Sequence, residues 1–179
     1  MCPTEKNNRN PIWGNVFQSL MKKKDQTRID LISKIPIFQE LSQRELRTVS
    51  EILFDRTYEA GEDIFLTDQP GAAMFIITSG RVRILVESSD DTEETILAEL
   101  EEGDFFGEIA LLDNSPRSAT ARAVTKTELL AIFRADLDKL TMNEPYIAAR
   151  IMKQLAIVIG MRLKETNRQF ASIARQTTS

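Results

Sequence analysis

The chain has 179 residues, 42% hydrophobic and 28% charged, with a net charge of −4, which is typical of one globular domain with additional arms. No apolar run approaches the ~20 residues that cross a bilayer, and the N-terminus lacks a secretory signal, so we expect a cytoplasmic protein without a transmembrane segment. With no histidine and only Cys2, Ser-His-Asp and Cys-His catalysis and cysteine-rich metal sites are excluded, which favours a binding protein without cofactor or metal over an enzyme.

The first 29 residues differ in charge from the rest of the chain. They carry six basic and two acidic side chains, whereas the remaining residues carry 17 basic and 25 acidic ones. The acidic body argues against a nucleic-acid-binding domain. Residues 1–12 predict a loosely held arm. The basic run Met21–Lys24 indicates a solvated helix face or, as the alternative, a contact with an anionic partner.

Apolar residues recur at helical spacing from Ile12 to about Leu41, with a break before Pro36. Ser42 and Glu45 then form the pattern of a capping box, which predicts the start of a further helix. We expect this helix to carry four apolar side chains on one face, namely Leu46, Val49, Ile52 and Leu53.

Between Asp55 and Phe133 the helical pattern gives way to short runs rich in Ile, Val, Phe and Thr. Ser79-Gly80 predicts a tight turn, and Ser88–Asp91 predicts the tip of a hairpin. Examples of the predicted strands are Asp63–Thr67, Ala72–Thr78, Arg81–Glu87, Glu94–Leu100 and Ala119–Val124. Six to eight short strands without helical crossovers predict a mainly β fold, an antiparallel β-roll or jelly-roll-like barrel flanked by N-terminal helices and a long C-terminal helix.

Helical periodicity returns after Phe133, and Asn143-Glu144-Pro145 predicts an N-cap followed by proline in the first turn. The helix extends to about residue 173 and has two apolar stripes. One stripe is Ile147, Ile151, Leu155 and Val158; the other has heptad spacing and is Met152, Ala156, Ile159, Leu163, Thr166, Phe170 and Ile173. We expect one stripe to pack on the roll and the other on a second copy, giving a homodimer. A single wide face buried within a monomer is the alternative.

The run Phe106–Leu112 contains residues suited to holding an anion. Gly107 permits close backbone approach, and a helix start at 107–110 offers unpaired N–H groups and the positive end of a dipole. Nearby Arg117 supplies a permanent charge with a planar donor fork that suits phosphate. Together these residues predict a phosphate site at the start of a short helix.

Glu108 would repel a phosphate, so its carboxylate is better explained by hydroxyl donors such as a ribose 2′-OH. Ser118 offers one more hydroxyl in the same region. The chemistry is therefore that of a sugar phosphate site. A simple ion pair between Glu108 and Arg117 in a surface loop is the alternative.

Phe106–Leu112 followed by Pro116–Thr120 closely resembles the phosphate-binding cassette of cyclic nucleotide-binding domains. That family includes protein kinase A regulatory subunits, cyclic-nucleotide-gated channels and the bacterial catabolite activator protein. The resemblance extends over roughly residues 30–165 and includes the segment Ile35–Ser42 and three turn glycines, Gly61, Gly71 and Gly80. It implies an arm and helix at 1–29, a nucleotide-binding β-roll at 30–142 with the cassette at 106–120, and a lid and dimerisation helix with a tail at 143–179.

The resemblance also implies a role for each residue of the site. Glu108 would accept a hydrogen bond from the ribose 2′-OH, and Arg117 would pair with the cyclic phosphate. Backbone N–H groups would assist at Gly107, Ile109, Ala110 and Ser118. Three strand residues, Ile84, Leu97 and Leu100, would wall the base, and the last helix would contact it from around Arg150 to Gln154.

The function that this resemblance implies is a sensor, above all for cAMP, that couples ligand binding to movement of its C-terminal helix and signals to an effector the sequence does not identify. Ser179 leaves no room for the DNA-binding domain of regulators that resemble catabolite activator protein, so we expect a free-standing module, either a complete small protein or a fragment. The alternatives are cGMP, which a hydroxyl at Ser118 favours if the base is syn, cyclic di-GMP, a ligand-free interaction module, and an enzyme with Glu108 as base.

Overall fold

The computed structural model describes residues 26–87 and 94–177. The predicted arm at 1–12, the predicted helical residues up to 25 and the predicted hairpin tip Ser88–Asp91 lie outside this part of the chain. Residues 26–32 are helical, and we call them α1. A 3-10 turn at Pro36–Phe38 and helix α2 at Gln43–Ser50 follow.

Helix α2 begins with the predicted capping box. The backbone N–H of Ser42 donates to Glu45 Oε2 at 2.8 Å, and the Ser42 hydroxyl accepts from the Glu45 N–H at 3.4 Å. Among the predicted apolar positions, Leu46 and Val49 are buried and Ile52 is half-buried. The expectation that Leu53 belongs to this helix is wrong, because α2 ends at Ser50 and Leu53 is the first residue of a strand, where it pairs with Ile132.

The described residues form eight strands, within the predicted range of six to eight. They are β1 Leu53–Tyr58, β2 Asp63–Phe65, β3 Ala73–Ser79, β4 Val82–Glu87, β5 Glu94–Leu100, β6 Phe105–Phe106, β7 Thr120–Ala123 and β8 Thr127–Phe133. The five predicted runs are all confirmed: Glu94–Leu100 agrees at both ends, and the other four differ from their strands by at most two residues at either end, whereas β1, β6 and β8 were not singled out as runs.

Two antiparallel sheets of four strands make up the β-roll that the sequence predicts. Their strand orders are β1-β8-β3-β6 and β2-β7-β4-β5. In the first sheet Phe75 of β3 lies opposite Ala131 of β8 on one side and Phe106 of β6 on the other. The pairing of β3 with β6 therefore brings the end of β6, where the cassette begins, against a central strand of the sheet.

Strands β3 and β8 are apolar on both faces because each face meets a different hydrophobic core. Their inner side chains pack between the two sheets, and these are Ala73, Phe75, Ile77, Leu129 and Ala131. The intervening side chains Met74, Ile76, Leu130 and Ile132 pack against the helices. Burial of one such side chain contributes about 1.5–3 kcal/mol, so both cores favour this arrangement of strands.

Two helices, α4 at Arg134–Asn143 and α5 at Pro145–Thr177, follow the roll. Pro145 occupies the first position of α5 as predicted, but Asn143 is the last residue of α4 rather than the cap of α5. One of the two apolar stripes packs on the body of the domain as predicted: Ile147, Ile151 and Leu155 are buried in the helix-side core, with Val158 partly buried against it. None of the helices in the described ranges, α5 included, combines the length and apolarity needed to cross a membrane.

Candidate ligand-binding site

The cassette at 106–120 contains a short helix, α3 at Glu108–Asp113, which is separated from β6 only by Gly107. Gly107 caps it in the left-handed conformation, with φ 74° and ψ 15°. A Cβ at Gly107 would lie 2.5 Å from Arg117 Nη1, so a side chain there would displace this guanidinium, and the left-handed backbone itself favours glycine. The predicted helix start is confirmed, and Gly107 allows the close approach that the sequence predicts.

Arg117 is a buried cation, 6% exposed, that is held by main-chain carbonyls. Nη1 donates to Gly107 O at 3.1 Å and Nη2 to Ala73 O at 2.7 Å. Its guanidinium carbon lies 4.0 Å from the centre of the Phe65 ring, a cation–π contact. Nε is buried and has no hydrogen-bond partner among the residues that the structure describes.

No ion pair between described residues involves Arg117. Burial lowers the pKa of Arg117 below its usual value, and the nearby charge of Arg134 lowers it further. A buried charge without a counter-ion is costly, and an anion at this position would relieve that cost. The alternative of a simple pair between Glu108 and Arg117 is wrong.

Glu108 pairs instead with the C-terminal helix. Its carboxylate is mostly buried, and Oε1 accepts a hydrogen bond from Arg162 Nη1 at 3.2 Å. Arg162 Nη2 donates to Phe105 O at 2.7 Å, and its guanidinium lies 4.5 Å from the Phe105 ring centre. Arg162 therefore connects α5 to the first residue of the cassette helix.

A cavity of about 400 Å³ lies above the cassette, between the roll and α5. All nine predicted site residues line it: Ile84, Leu97, Leu100, Gly107, Glu108, Ile109, Ala110, Arg117 and Ser118. The structure adds Phe65, Ala98, Phe106, Ala119, Arg162, Glu165 and Thr166. The wall is thus apolar along β4 and β5 and polar at the cassette and α5, as in sites for small organic ligands.

The prediction that α5 lies over the cavity from Arg150 to Gln154 is wrong. Arg150 binds Glu45 of α2 at 2.8 Å, and α5 reaches the cavity only from Arg162 onward. The sequence shows that Arg162 and Thr166, four residues apart, share a face of the helix. It does not show which turn of α5 lies beside the cavity, because that depends on how the helix packs on the roll.

Comparison with known proteins places this geometry in a family. The cyclic nucleotide-binding domain model matches residues 55–144. The cyclic AMP receptor protein of Thermus thermophilus is 37% identical over 132 residues, which are 74% of this chain and 59% of that protein. The chain spans 39% to 59% of the lengths of three curated relatives that it matches.

Solved structures are similar as well. The crystal structure of the Thermus thermophilus catabolite activator protein has a TM-score of 0.69 and 34% identity, covering 78% of this chain and 63% of that one. A c-di-GMP responsive global regulator of Xanthomonas campestris has a TM-score of 0.65 and 26% identity, covering 74% and 65%. With its paired sheets, its cassette and the match over half of its length, the chain belongs to the cyclic nucleotide-binding domain family.

Proposed function

We propose that this domain is a sensor that binds a cyclic mononucleotide, cAMP before others, in the 400 Å³ cavity. The observation that carries the proposal is the buried Arg117 guanidinium, which has main-chain and aromatic neighbours but no carboxylate partner among the described residues. One cyclic phosphate supplies the single negative charge that this position lacks. A buried, water-poor setting makes such charge pairing stronger than it is at the surface.

Glu108 recognises the ribose in this proposal. Arg162 donates to Oε1, whereas Oε2 receives no hydrogen bond from the residues that the structure describes. An ionised carboxylate only accepts, so the free oxygen suits the donor of a 2′-hydroxyl. The base lies against Ile84, Leu97 and Leu100, which the cavity presents as apolar wall.

The choice of cAMP rests on similarity and on charge. The relative from Thermus thermophilus is named as a cyclic AMP receptor. A cyclic dinucleotide brings two phosphates, but the second arginine of the cavity, Arg162, already binds Glu108 and the Phe105 carbonyl. The described cavity therefore favours one phosphate over two, and cGMP and cyclic di-GMP are the competing ligands to test.

The response passes through α5 because Arg162 shares Glu108 with the ligand. A ligand shifts a conformational equilibrium only through its different affinities for the two states. Hydrogen bonding of a ribose to Glu108 changes the strength of the Arg162 contact and so the position of the last turns of α5 relative to the cassette. The domain acts as a binding and signalling module rather than an enzyme.

We further propose that α5 pairs with a second copy of the chain. The buried stripe of α5 faces the roll, whereas three residues of the heptad stripe, Met152, Leu163 and Phe170, are 38%, 59% and 75% exposed. A single wide face buried in a monomer does not describe this helix. Apolar residues at 4-3 spacing are the pattern of two helices that pack side by side.

Thermal denaturation with added ligands tests the binding proposal. Wild type, Arg117→Ala and the control Arg56→Ala, an exposed arginine on β1, are each heated with cAMP, cGMP, cyclic di-GMP or 5′-AMP. We expect cAMP to stabilise wild type and Arg56→Ala but not Arg117→Ala. Stabilisation by cyclic di-GMP alone would replace the proposed ligand, and stabilisation by none of the four would contradict the proposed function.

A further inference from the structure

Arg134, the first residue of α4, extends its side chain back to the cassette. Nε donates to Leu111 O at 3.1 Å and Nη2 donates to Gly71 O at 2.7 Å. The same guanidinium also donates to Ala110 O and to Asn114 Oδ1. One side chain thus binds the second half of α3, the residue that ends it, and the loop before β3.

The acceptors explain why an arginine suits this position. Leu111 lies in the last turn of a helix of only six residues, so its carbonyl lacks the helical N–H partner that a longer helix supplies. Ser115, which could supply one, donates its N–H to the side chain of Asp113 instead. A cation with several donors both fills these bonds and complements the negative end of the helix.

Arg134 and Arg117 hold the same two segments from opposite ends. Arg117 connects Gly107, before α3, with Ala73 of β3, whereas Arg134 connects the end of α3 with Gly71. A Cβ at Gly71 would overlap the Cβ of Ala110, so loop and helix are already packed without spare room. The two arginines therefore fix one compact unit.

The two guanidinium groups also form a concentrated positive charge. No ion pair between described residues involves either of them, and the charge of Arg134 is close enough to act on Arg117. An anion bound at Arg117 is attracted by both charges, because low-dielectric surroundings screen such attraction little.

We propose that Arg134 is a positioning residue of the site, which ties α3 and the loop before β3 to the start of α4 so that the cassette cannot shift without α4. The inference rests on the proposed function. Arg134 does not line the cavity, and its own N–H donates to Ala72 O at 2.8 Å. Because Leu137 and Leu140 bury α4 against the core shared with α5, a displacement of α3 reaches α5 by this route.

Hydrogen exchange and calorimetric titration test this role in wild type, Arg134→Ala, Arg134→Lys and the control Lys139→Ala. Lys139 is an exposed residue of the same helix. In ligand-free protein we expect Arg134→Ala to exchange the amides of 108–114 at least tenfold faster than wild type. Titrated with cAMP, it should bind about tenfold more weakly, and cAMP should no longer protect residues 134–143.

Arg134→Lys keeps the charge but not the four-acceptor fork, so we expect partial recovery of both readouts; it also serves as the test if the alanine variant does not fold. Lys139→Ala should match wild type throughout. If the amides of 108–114 exchange at the wild-type rate in the Arg134 variants, the proposal that Arg134 ties α3 to α4 is overturned, whether or not any nucleotide binds. Wild-type protein that binds no nucleotide contradicts the proposed function instead, while the exchange of the ligand-free variants still decides the inference.

Discussion

Arg117 is held by two carbonyl oxygens and stacks on Phe65, and none of these neighbours carries a full negative charge. Carbonyl dipoles and an aromatic face partly stabilise the guanidinium, but they leave its net charge uncompensated. The free protein therefore holds a buried positive charge that an anion would compensate. The residue is already oriented, so little conformational entropy is lost when a ligand binds.

Arg117→Ala should weaken cAMP binding by about 2–5 kcal/mol, which corresponds to a roughly 30- to several-thousand-fold rise in Kd, because a buried charge pair is lost. Calorimetric titration of the variant against Arg56→Ala measures this. A variant that binds as tightly as wild type would remove Arg117 from the phosphate site.

Glu108→Ala should weaken cAMP binding by about 1.5–3 kcal/mol, the range for hydrogen bonds to charged groups, and should barely change the binding of 2′-deoxy-cAMP. The reason is that only the hydroxyl-bearing ligand has a donor for Oε2. Glu102→Ala, which removes an exposed carboxylate that does not line the cavity, is the matched control. Equal losses for both nucleotides in Glu108→Ala would contradict the ribose assignment.

Among the elements, helix α5 carries two apolar stripes, one that packs in the core and one that we propose pairs with a second copy. The buried stripe belongs to the core, so its substitution affects folding, whereas Leu163 and Phe170 of the heptad stripe are exposed and can be substituted without disturbing the roll. We expect Leu163→Glu to convert a dimer to a monomer, because it introduces a charge into the proposed seam. Light scattering measures the mass, with the exposed neighbour Lys164→Glu as control. A wild-type monomer, or a variant that stays dimeric, would contradict the pairing.

The capping box of α2 is a second element-scale feature. Ser42→Ala should lower the free energy of unfolding at pH 7 by about 1 kcal/mol, measured by urea denaturation, with Gln43→Ala as control. The backbone N–H of Ser42 lowers the pKa of Glu45 most. The Ser42 hydroxyl, which donates to Glu45 Oε2 at 2.7 Å and is removed in the variant, lowers this pKa further, and Arg150 assists. Because the pKa of Glu45 is lowered in the folded protein, this carboxylate stabilises the fold at a pH above its ordinary pKa of 4.5, and the stabilisation is lost as the pH falls below that value. The difference in the free energy of unfolding between Ser42→Ala and wild type should therefore be smaller at pH 3.5 than at pH 7. An equal difference at both pH values would show that the Glu45 carboxylate does not contribute to it.

At the scale of the whole molecule, ligand binding and folding are linked. Cyclic AMP at 100 times its Kd should stabilise the native state by about 2.7 kcal/mol if it binds only the folded domain. For a chain of this length that corresponds to a rise in Tm of about 5–10 °C, which scanning calorimetry detects. Above its Kd, cAMP should raise the Tm in proportion to the logarithm of its concentration. A Tm that stops rising while the cAMP concentration still increases would indicate that the unfolded chain binds cAMP as well.

The sequence predicts the parts of the fold and of the site that depend on residues close along the chain, and misses those that depend on packing between distant elements. Gly107, Glu108 and Arg117 are close along the chain, so local chemistry placed them together, and alternating apolar runs located five strands. Strand β6 has two residues, too few for a visible alternation. Arg162 and Arg134 escaped because their partners lie 54 and 23 residues away, and only the packing of α5 and α4 on the roll brings them there.

Helix α3 lies between two residues in the left-handed region, Gly107 at φ 74° and Asn114 at φ 62°. A Cβ at the first position would displace the Arg117 guanidinium, whereas the second already accommodates a side chain that binds Arg134. Position 107 should therefore tolerate fewer side chains than position 114, where a change that removes the side-chain oxygen also removes one acceptor of Arg134. Saturation mutagenesis should return glycine alone at 107 and at least Asn, Asp and Gly at 114, because Asn and Asp keep an oxygen for Arg134 and Gly adopts the left-handed backbone without strain.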